Sequence, residues 1–336
     1  MRSKLALAIA ASASVLTVNA VAGQDLGPNI QKVKDGVYVY FGNARPNGVR
    51  DSNAGIVITQ EGVLLVDTGN NPTDSRRILA AVKTLTPQPV RYVVLTEPHP
   101  DHYTGSFLFS PPAVVITHAS GIEGMAKYRT STDPARIERL RDASPEMRTA
   151  LEGYRFIVPQ REYRQKTTLN MGNTTIELLY LKNVHSEADT AVWLPKEGVL
   201  FAGAVISPDQ FNAFRPFVTI PAIQAAIKTL KGLNPQFVIP GHGVRGIPGT
   251  VKILEQEEQF YAALLDRVGR MVKDGKSLDQ ITEALRLPDY DGRGSKDTLP
   301  PIIESAYKTV KGLPHRAFDV EEPCHYSAPP CRSQSR

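Results

Sequence analysis

Hydrophobic and polar positions near the start of the chain predict extended structure. Val37-Tyr38-Val39-Tyr40-Phe41 is rich in β-formers, Ala54 to Thr59 makes a second strand, and Gly62 introduces a third, Val63-Leu64-Leu65-Val66. Asp67-Thr68-Gly69 ends that run in a turn. The spacing then changes: between Ser75 and Leu85 the apolar residues Ile78, Leu79, Val82 and Leu85 fall on one helical stripe. Pro89 leads into Val90 to Leu95, a run apolar enough for a central strand covered on both faces.

Further along, Ala113 to Thr117 predicts a strand ending at His118, followed by a mixed-charge, largely helical stretch to about Gly153. A β-rich segment runs from Thr174 to Leu181 and leads to His185. Thr190 to Pro195 and Gly198 to Phe201 form a hairpin-like pair, and Pro221 to Leu233 reads as a helix. Phe237-Val238-Ile239-Pro240 is a last short strand that delivers Gly241-His242-Gly243. Beyond Thr250 the pattern is helical, with Leu254, Tyr261, Leu264, Leu265, Val268, Met271 and Val272 on one stripe. Ser277 and Gln280 make a capping box, and Pro300-Pro301 to Gly312 is another helix. Strands that alternate with helices and end in polar loops predict an α/β architecture.

Composition narrows the class. The chain has 336 residues, enough for one large α/β domain with appendages. Its formal charge of +5 falls to +3 without Arg2 and Lys4, the only charges in the first 22 residues. So small a surplus, spread along the chain, gives no case for a nucleic-acid partner. Beyond the N-terminus no apolar run approaches the ~20 residues of a membrane span. The N-terminus itself reads as an export signal: basic Arg2 and Lys4, an uncharged apolar stretch from Leu5 to Val18, then Ala20-Val21-Ala22 as a cleavage site. Residues 1–22 are therefore a signal peptide, and a periplasmic or secreted location follows. In that compartment the closely spaced Cys324 and Cys331 favour a disulfide loop that staples the tail.

The chemistry concentrates in Glu97-Pro98-His99-Pro100-Asp101-His102, which places four potential metal ligands within six residues. Zinc accepts imidazole nitrogen and carboxylate oxygen, and such side chains are costly to bury unless paired or metallated. Alternation along an extended segment puts Glu97, His99 and Asp101 on one face, and a turn brings His102 around. His185 and His242 stand at strand ends downstream, the latter between two glycines that permit a tight bend. Alone, either is an ordinary histidine; beside the first cluster both become candidate ligands.

This pattern resembles the metallo-β-lactamase superfamily. Its His-x-His-x-Asp-His motif aligns with Glu97, His99, Asp101 and His102, and its later histidines align with His185 and with His242 in Pro-Gly-His-Gly. Asp67-Thr68-Gly69 matches the family's Asp-Thr-Gly turn. The resemblance covers roughly Gly36 to Gly243. It implies a four-layer αβ/βα sandwich over residues 23–250, to which residues 251–336 add a C-terminal helical extension. It also implies one or two zinc ions, with Glu97, His99 and His185 at one site and Asp101, His102 and His242 at the other. Asp101 would ligate metal, orient the attacking water and shuttle a proton; Asp67 and Asp189 would fix imidazole tautomers or cap turns.

Two departures separate this chain from the pattern. Glu97 replaces the first motif histidine, and Ala204 stands where many hydrolases of the superfamily carry a metal-bridging aspartate. The family's β-lactamases lack that aspartate, so the sequence leans to their side. The expected function is metal-dependent hydrolysis of an amide, ester, lactone or thioester carbonyl in a small-molecule substrate. The rival is a non-catalytic or redox-accessory exported protein that binds metal or ligand at a degenerate site. His118 is expected to be a hydrogen-bonded strand-end residue and Trp193 to be core, and His315 and His325 in the tail have no chemical role. Met125 to Lys166 is either a solvated helical face or a lid. Expressed in a bacterial host, the mature protein should begin at Gly23 and hold no free thiol. Mass spectrometry with thiol labelling under denaturing, non-reducing conditions checks both; intact Met1 on a soluble product overturns export.

Overall fold

A computed structural model describes residues 26–44, 51–131, 133–243 and 249–316. The expected signal peptide, Cys324, Cys331 and His325 lie outside them. Two β-sheets form the centre. The first contains β1 (Ile30–Lys34), β2 (Val37–Tyr40), β3 (Ala54–Thr59), β4 (Gly62–Val66), β5 (Val90–Val94), β6 (Val114–His118) and β7 (Arg161–Tyr163), side by side in that order. It is antiparallel from β1 to β4 and parallel from β4 to β7. The second contains β8 (Lys166–Met171), β9 (Thr174–Tyr180), β10 (Thr190–Leu194), β11 (Val199–Gly203) and β12 (Phe237–Pro240), with only the β11–β12 pair parallel.

The alternation of side chains along the strands builds three apolar layers. Between the sheets, Leu64, Val66 and Val94 meet Leu178, Val192 and Phe201. A Cβ on Gly55 would stand 2.4 Å from the Phe201 ring, so this layer has no spare volume. On the outer face of the first sheet, Val63, Leu65 and Val93 pack against Ile78, Ala81 and Val82 of α1 (Pro72–Leu85) and Met125 and Tyr128 of α3 (Ala119–Ser131). On the outer face of the second, Trp193, Leu200 and Val238 pack against α6 (Ile220–Gly232), α7 (Val251–Lys273) and α9 (Leu299–Lys311). Helix, sheet, sheet, helix is the expected four-layer sandwich. The remaining helices are α2 (Pro100–Tyr103), α4 (Asp133–Ala143), α5 (Pro145–Ala150) and α8 (Leu278–Ala284).

Most boundaries follow the sequence signals. Helix α1 starts three residues before the expected Ser75 because Asn71 caps it, accepting from Asp74 N at 3.1 Å, and Pro72 fits the first turn. The Ser277–Gln280 capping box forms on α8, and Gly312, at φ 64°, ends α9 in the left-handed conformation. Three strands lacked a sequence signal: β1, β7 and β8. Each lies at the edge of its sheet, where one side is unpaired and a weaker apolar face suffices. The segment after Met125 supplies α3, α4 and α5 and then β7, so it is helical only in its first part.

The C-terminal helices share a core with the second sheet rather than standing apart from it. Leu264 of α7 is fully buried in that layer. Leu264→Ala should therefore cost about 2–5 kcal/mol of folding stability. Denaturant unfolding measures this, and a loss below about 1 kcal/mol would show that α7 is peripheral.

Candidate metal centre

The candidate ligands come together at one edge of the sandwich, delivered by the ends of β5 and β12 and by the loop between β9 and β10. The organising residue is Asp67, at the end of β4. Its backbone sits at φ 59°, uncommon for a residue with a Cβ. That turn lets its carboxylate accept from Thr96 N at 2.8 Å and Thr96 Oγ1 at 2.6 Å, and places it 2.9 Å from His102 Nδ1. Next to it, Thr68 Oγ1 donates to the carbonyl of His102 at 2.7 Å. The Asp-Thr-Gly turn thus holds both the ring and the backbone of His102.

His99 and Pro100 begin the single turn of α2, which swings His102 round as the sequence required. Glu97, fully buried, lies at the centre. Its Oε2 is in very close contact with His99 Nδ1 and 3.4 Å from His185 Nε2, and its Oε1 is 2.9 Å from His102 Nε2. Glu97 therefore faces both halves: one group is Glu97, His99 and His185, the other Glu97, His102 and His242. Asp101 Oδ2 lies 3.6 Å from the Nε2 atoms of both His102 and His242, with a third of its side chain exposed. All six candidate residues meet in one cluster, and Glu97 stands between the two sites that the resemblance separates.

The charges are mutually dependent. Burial would raise the Glu97 carboxyl, but His99, His185 and His102 outweigh it and hold it well below the usual range. Burial acts the same way on Asp101, and His102 and His242 bring it down to about 2. His102 goes the other way: burial lowers it, yet Glu97, Asp67 and Asp101 hold it well above an ordinary histidine. His185 is depressed, first by burial. Asp189 is pushed up to about 7 by burial and then by Glu97. It accepts from the backbone N–H groups of Val184, His185 and Ser186, so of its two expected roles it takes the turn-capping one, presenting His185. Asp67 takes the tautomer-fixing one.

Neighbouring elements close the site. Tyr128 of α3 stands edge-on to His99 at 5.6 Å, while much of α4 is exposed, so the helical segment both covers the cluster and presents a solvated face. His118 contacts Ser120 Oγ and the Arg164 carbonyl and stacks on Tyr180, as a strand-end residue should. Trp193 is core. Ala204 is buried beside Gly241, and Asn212 Nδ2 donates to its carbonyl.

Three residues escaped the sequence reading. Ser52 pairs with His242 in a short antiparallel bridge, and Asn53 Nδ2 donates to the carbonyls of Pro240 and Gly243. Arg215 reaches His99 Nε2 at 2.7 Å and His185 Nε2 at 3.3 Å. Its one available signal was a lone cation between Phe214 and Phe217.

The donor set suits a divalent ion. Glu97 Oε1, Glu97 Oε2 and His102 Nε2 are buried and make close contacts rather than aligned hydrogen bonds. Buried polar atoms left in that condition are costly unless a cation satisfies them.

The chain is similar to several known proteins. The chain is 25% identical over 286 residues to a linear primary-alkylsulfatase of Pseudomonas sp. (strain ATCC 19151), covering 75% of this chain and 52% of that protein. It is 24% identical over 239 residues to a metallo-beta-lactamase type 2 of Bacteroides fragilis, covering 69% and 84%. Among solved structures, a metallo-beta-lactamase from Pontibacter korlensis superposes with a TM-score of 0.55 at 21% identity, over 69% of this chain and 98% of that one. The inverting sec-alkylsulfatase Pisa1 from Pseudomonas sp. superposes with a TM-score of 0.65 at 18% identity, over 90% and 52%. This chain spans about half the length of either alkylsulfatase. The model of the metallo-beta-lactamase superfamily matches residues 47–242, more than half of the chain and a span that includes the cluster, and the chain belongs to that superfamily.

Proposed function

We propose that this protein is a zinc-dependent hydrolase acting on the carbonyl of a small amide, ester, lactone or thioester, with a β-lactam-like ring as the leading case. The observation that carries the reading is the buried cluster of carboxylates and imidazoles at the sheet edge, with Asp101 on its open side. A divalent ion bound there would polarise the scissile group and acidify water. The chain's own residues supply the rest. Asp67, facing His102 Nδ1, keeps a proton on that nitrogen and turns the Nε2 lone pair toward the cluster. Asp101, partly exposed and held ionised by His102 and His242, is placed to orient a water by accepting a hydrogen bond from it.

A sulfate ester is the second reading. It is favoured by the alkylsulfatase whose structure superposes on 90% of this chain, where the lactamase covers 69%. A panel of nitrocefin, lactone, thioester and alkyl sulfate substrates separates the two. Activity should vanish on chelation and return with zinc. Bound zinc without turnover of any substrate would favour the non-catalytic rival.

Two variants test the roles. Asp101→Ala should lose much of its bound zinc and drop hydrolysis by orders of magnitude; unchanged metal content and rate would remove Asp101 from the mechanism. Asp67→Ala should weaken zinc affinity by about 10–100-fold, because His102 loses its orienting partner. Metal titration reads the change, and wild-type affinity would count against Asp67 as a positioning residue.

A further inference from the structure

The cluster has one member that the ligand pattern does not explain. Arg215 lies in the segment 204–219 between β11 and α6, and its guanidinium points at the histidines of one half of the site. The contact is built rather than incidental. Flanking Phe214 and Phe217 are buried in the layer beneath α7, and Arg215 Nη1 also donates to the Ala213 carbonyl at 3.1 Å.

His99 has both ring nitrogens engaged, Nδ1 toward Glu97 Oε2 and Nε2 toward Arg215 Nη2. A guanidinium has donors and no acceptor, so the nitrogen it meets must be the unprotonated one. Nε2 of His99 is then the acceptor, which leaves its ring hydrogen on Nδ1, the nitrogen in close contact with Glu97 Oε2. A metal ion on Nδ1 would require the hydrogen on Nε2, aimed at a group that can only donate. A metal ion on Nε2 would collide with the guanidinium itself. Either way, Arg215 in this position withholds His99 from a metal ion.

The other half is arranged in the opposite sense. His102 Nδ1 faces the Asp67 carboxylate, an acceptor, which is the partner a metal-binding imidazole needs. Asp101 Oδ2 is near the Nε2 atoms of both His102 and His242. Asp67 and Asp101 bring two carboxylates to that half, whereas Arg215 sets a cation against the histidines of the first.

We propose that Arg215 is a built-in cation that takes the place of a metal ion beside Glu97, His99 and His185. The working centre then carries one divalent ion, held by His102 and His242 with the carboxylates of Glu97 and Asp101 beside them. This rests on the metal-centre reading above and decides its stoichiometry.

The test is zinc titration of purified protein, with metal content measured by mass spectrometry and folding checked by thermal melts. Wild type should bind one equivalent tightly, with any second at least ~100-fold weaker. Arg215→Gln removes the charge and offers an amide oxygen that can accept from His99 Nε2–H, so it should bind two tight equivalents. Arg215→Lys keeps a donor-only cation and should stay at one. Two tight equivalents in wild type, or a single equivalent in folded Arg215→Gln, would overturn the proposal. A wild-type stoichiometry of zero would overturn the metal-centre reading along with it.

Discussion

The structure of the site depends on the carboxylate of Asp67. It ends β4 in a left-handed turn and gathers the Thr96 amide, the Thr96 hydroxyl and the His102 ring around itself. Those contacts clamp the ends of two neighbouring parallel strands, β4 and β5, and set the start of the ligand loop. A buried carboxylate is tolerable because each approach to it comes from a polar partner. The backbone strain at φ 59° is of the kind found where the surrounding structure over-determines a residue in service of a site. Everything downstream inherits this geometry: the turn of α2, the ring of His102, and through Glu97 the positions of His99 and His185.

The second sheet reaches the same place by a separate route. Thr190 N, at the start of β10, donates to the Thr96 carbonyl, tying the two sheets together beside the cluster. Asp189 winds the preceding loop into a turn that presents His185. Gly241 N donates to the Gly203 carbonyl, and a Cβ on Gly241 would lie 2.6 Å from that backbone, so His242 can be delivered only with glycine before it. The cluster is therefore a junction between sheets. Its histidines cannot move apart without disturbing the strand ends that hold them.

This explains how much of the molecule was legible in the sequence. Central strands such as β4 and β5 are buried on both faces and must be apolar throughout, so their runs were plain. The first four candidate ligands stood out because the Glu-Pro-His-Pro-Asp-His segment is local and chemically dense. The edge strands β1, β7 and β8 were not, because pairing with one neighbour and partial cover leave a weak pattern. Glu97 was read as belonging to one half of the site. Only the fold brings His102 Nε2 within 2.9 Å of its second oxygen and so makes it common to both. Arg215 lies 116 residues from His99, and no periodicity links them.

What links them is the C-terminal helices. Phe211 rests against Phe260 of α7, its N–H donates to the Gly294 carbonyl, and its own carbonyl accepts from Thr298 Oγ1. Phe214 stacks near Tyr261 of the same helix. Arg293, paired with buried Glu257 at 2.8 Å, lies over the Phe260 ring and holds that corner together. Arg215 follows Phe214 directly, so the depth to which its guanidinium reaches is set by aromatic packing against α7. A helical extension that brings no candidate ligand to the cluster among the described residues thereby sets where the Arg215 cation meets His99 and His185. The chemistry of the cluster is shaped as much by the apolar layer under the second sheet as by the strand ends that carry the histidines.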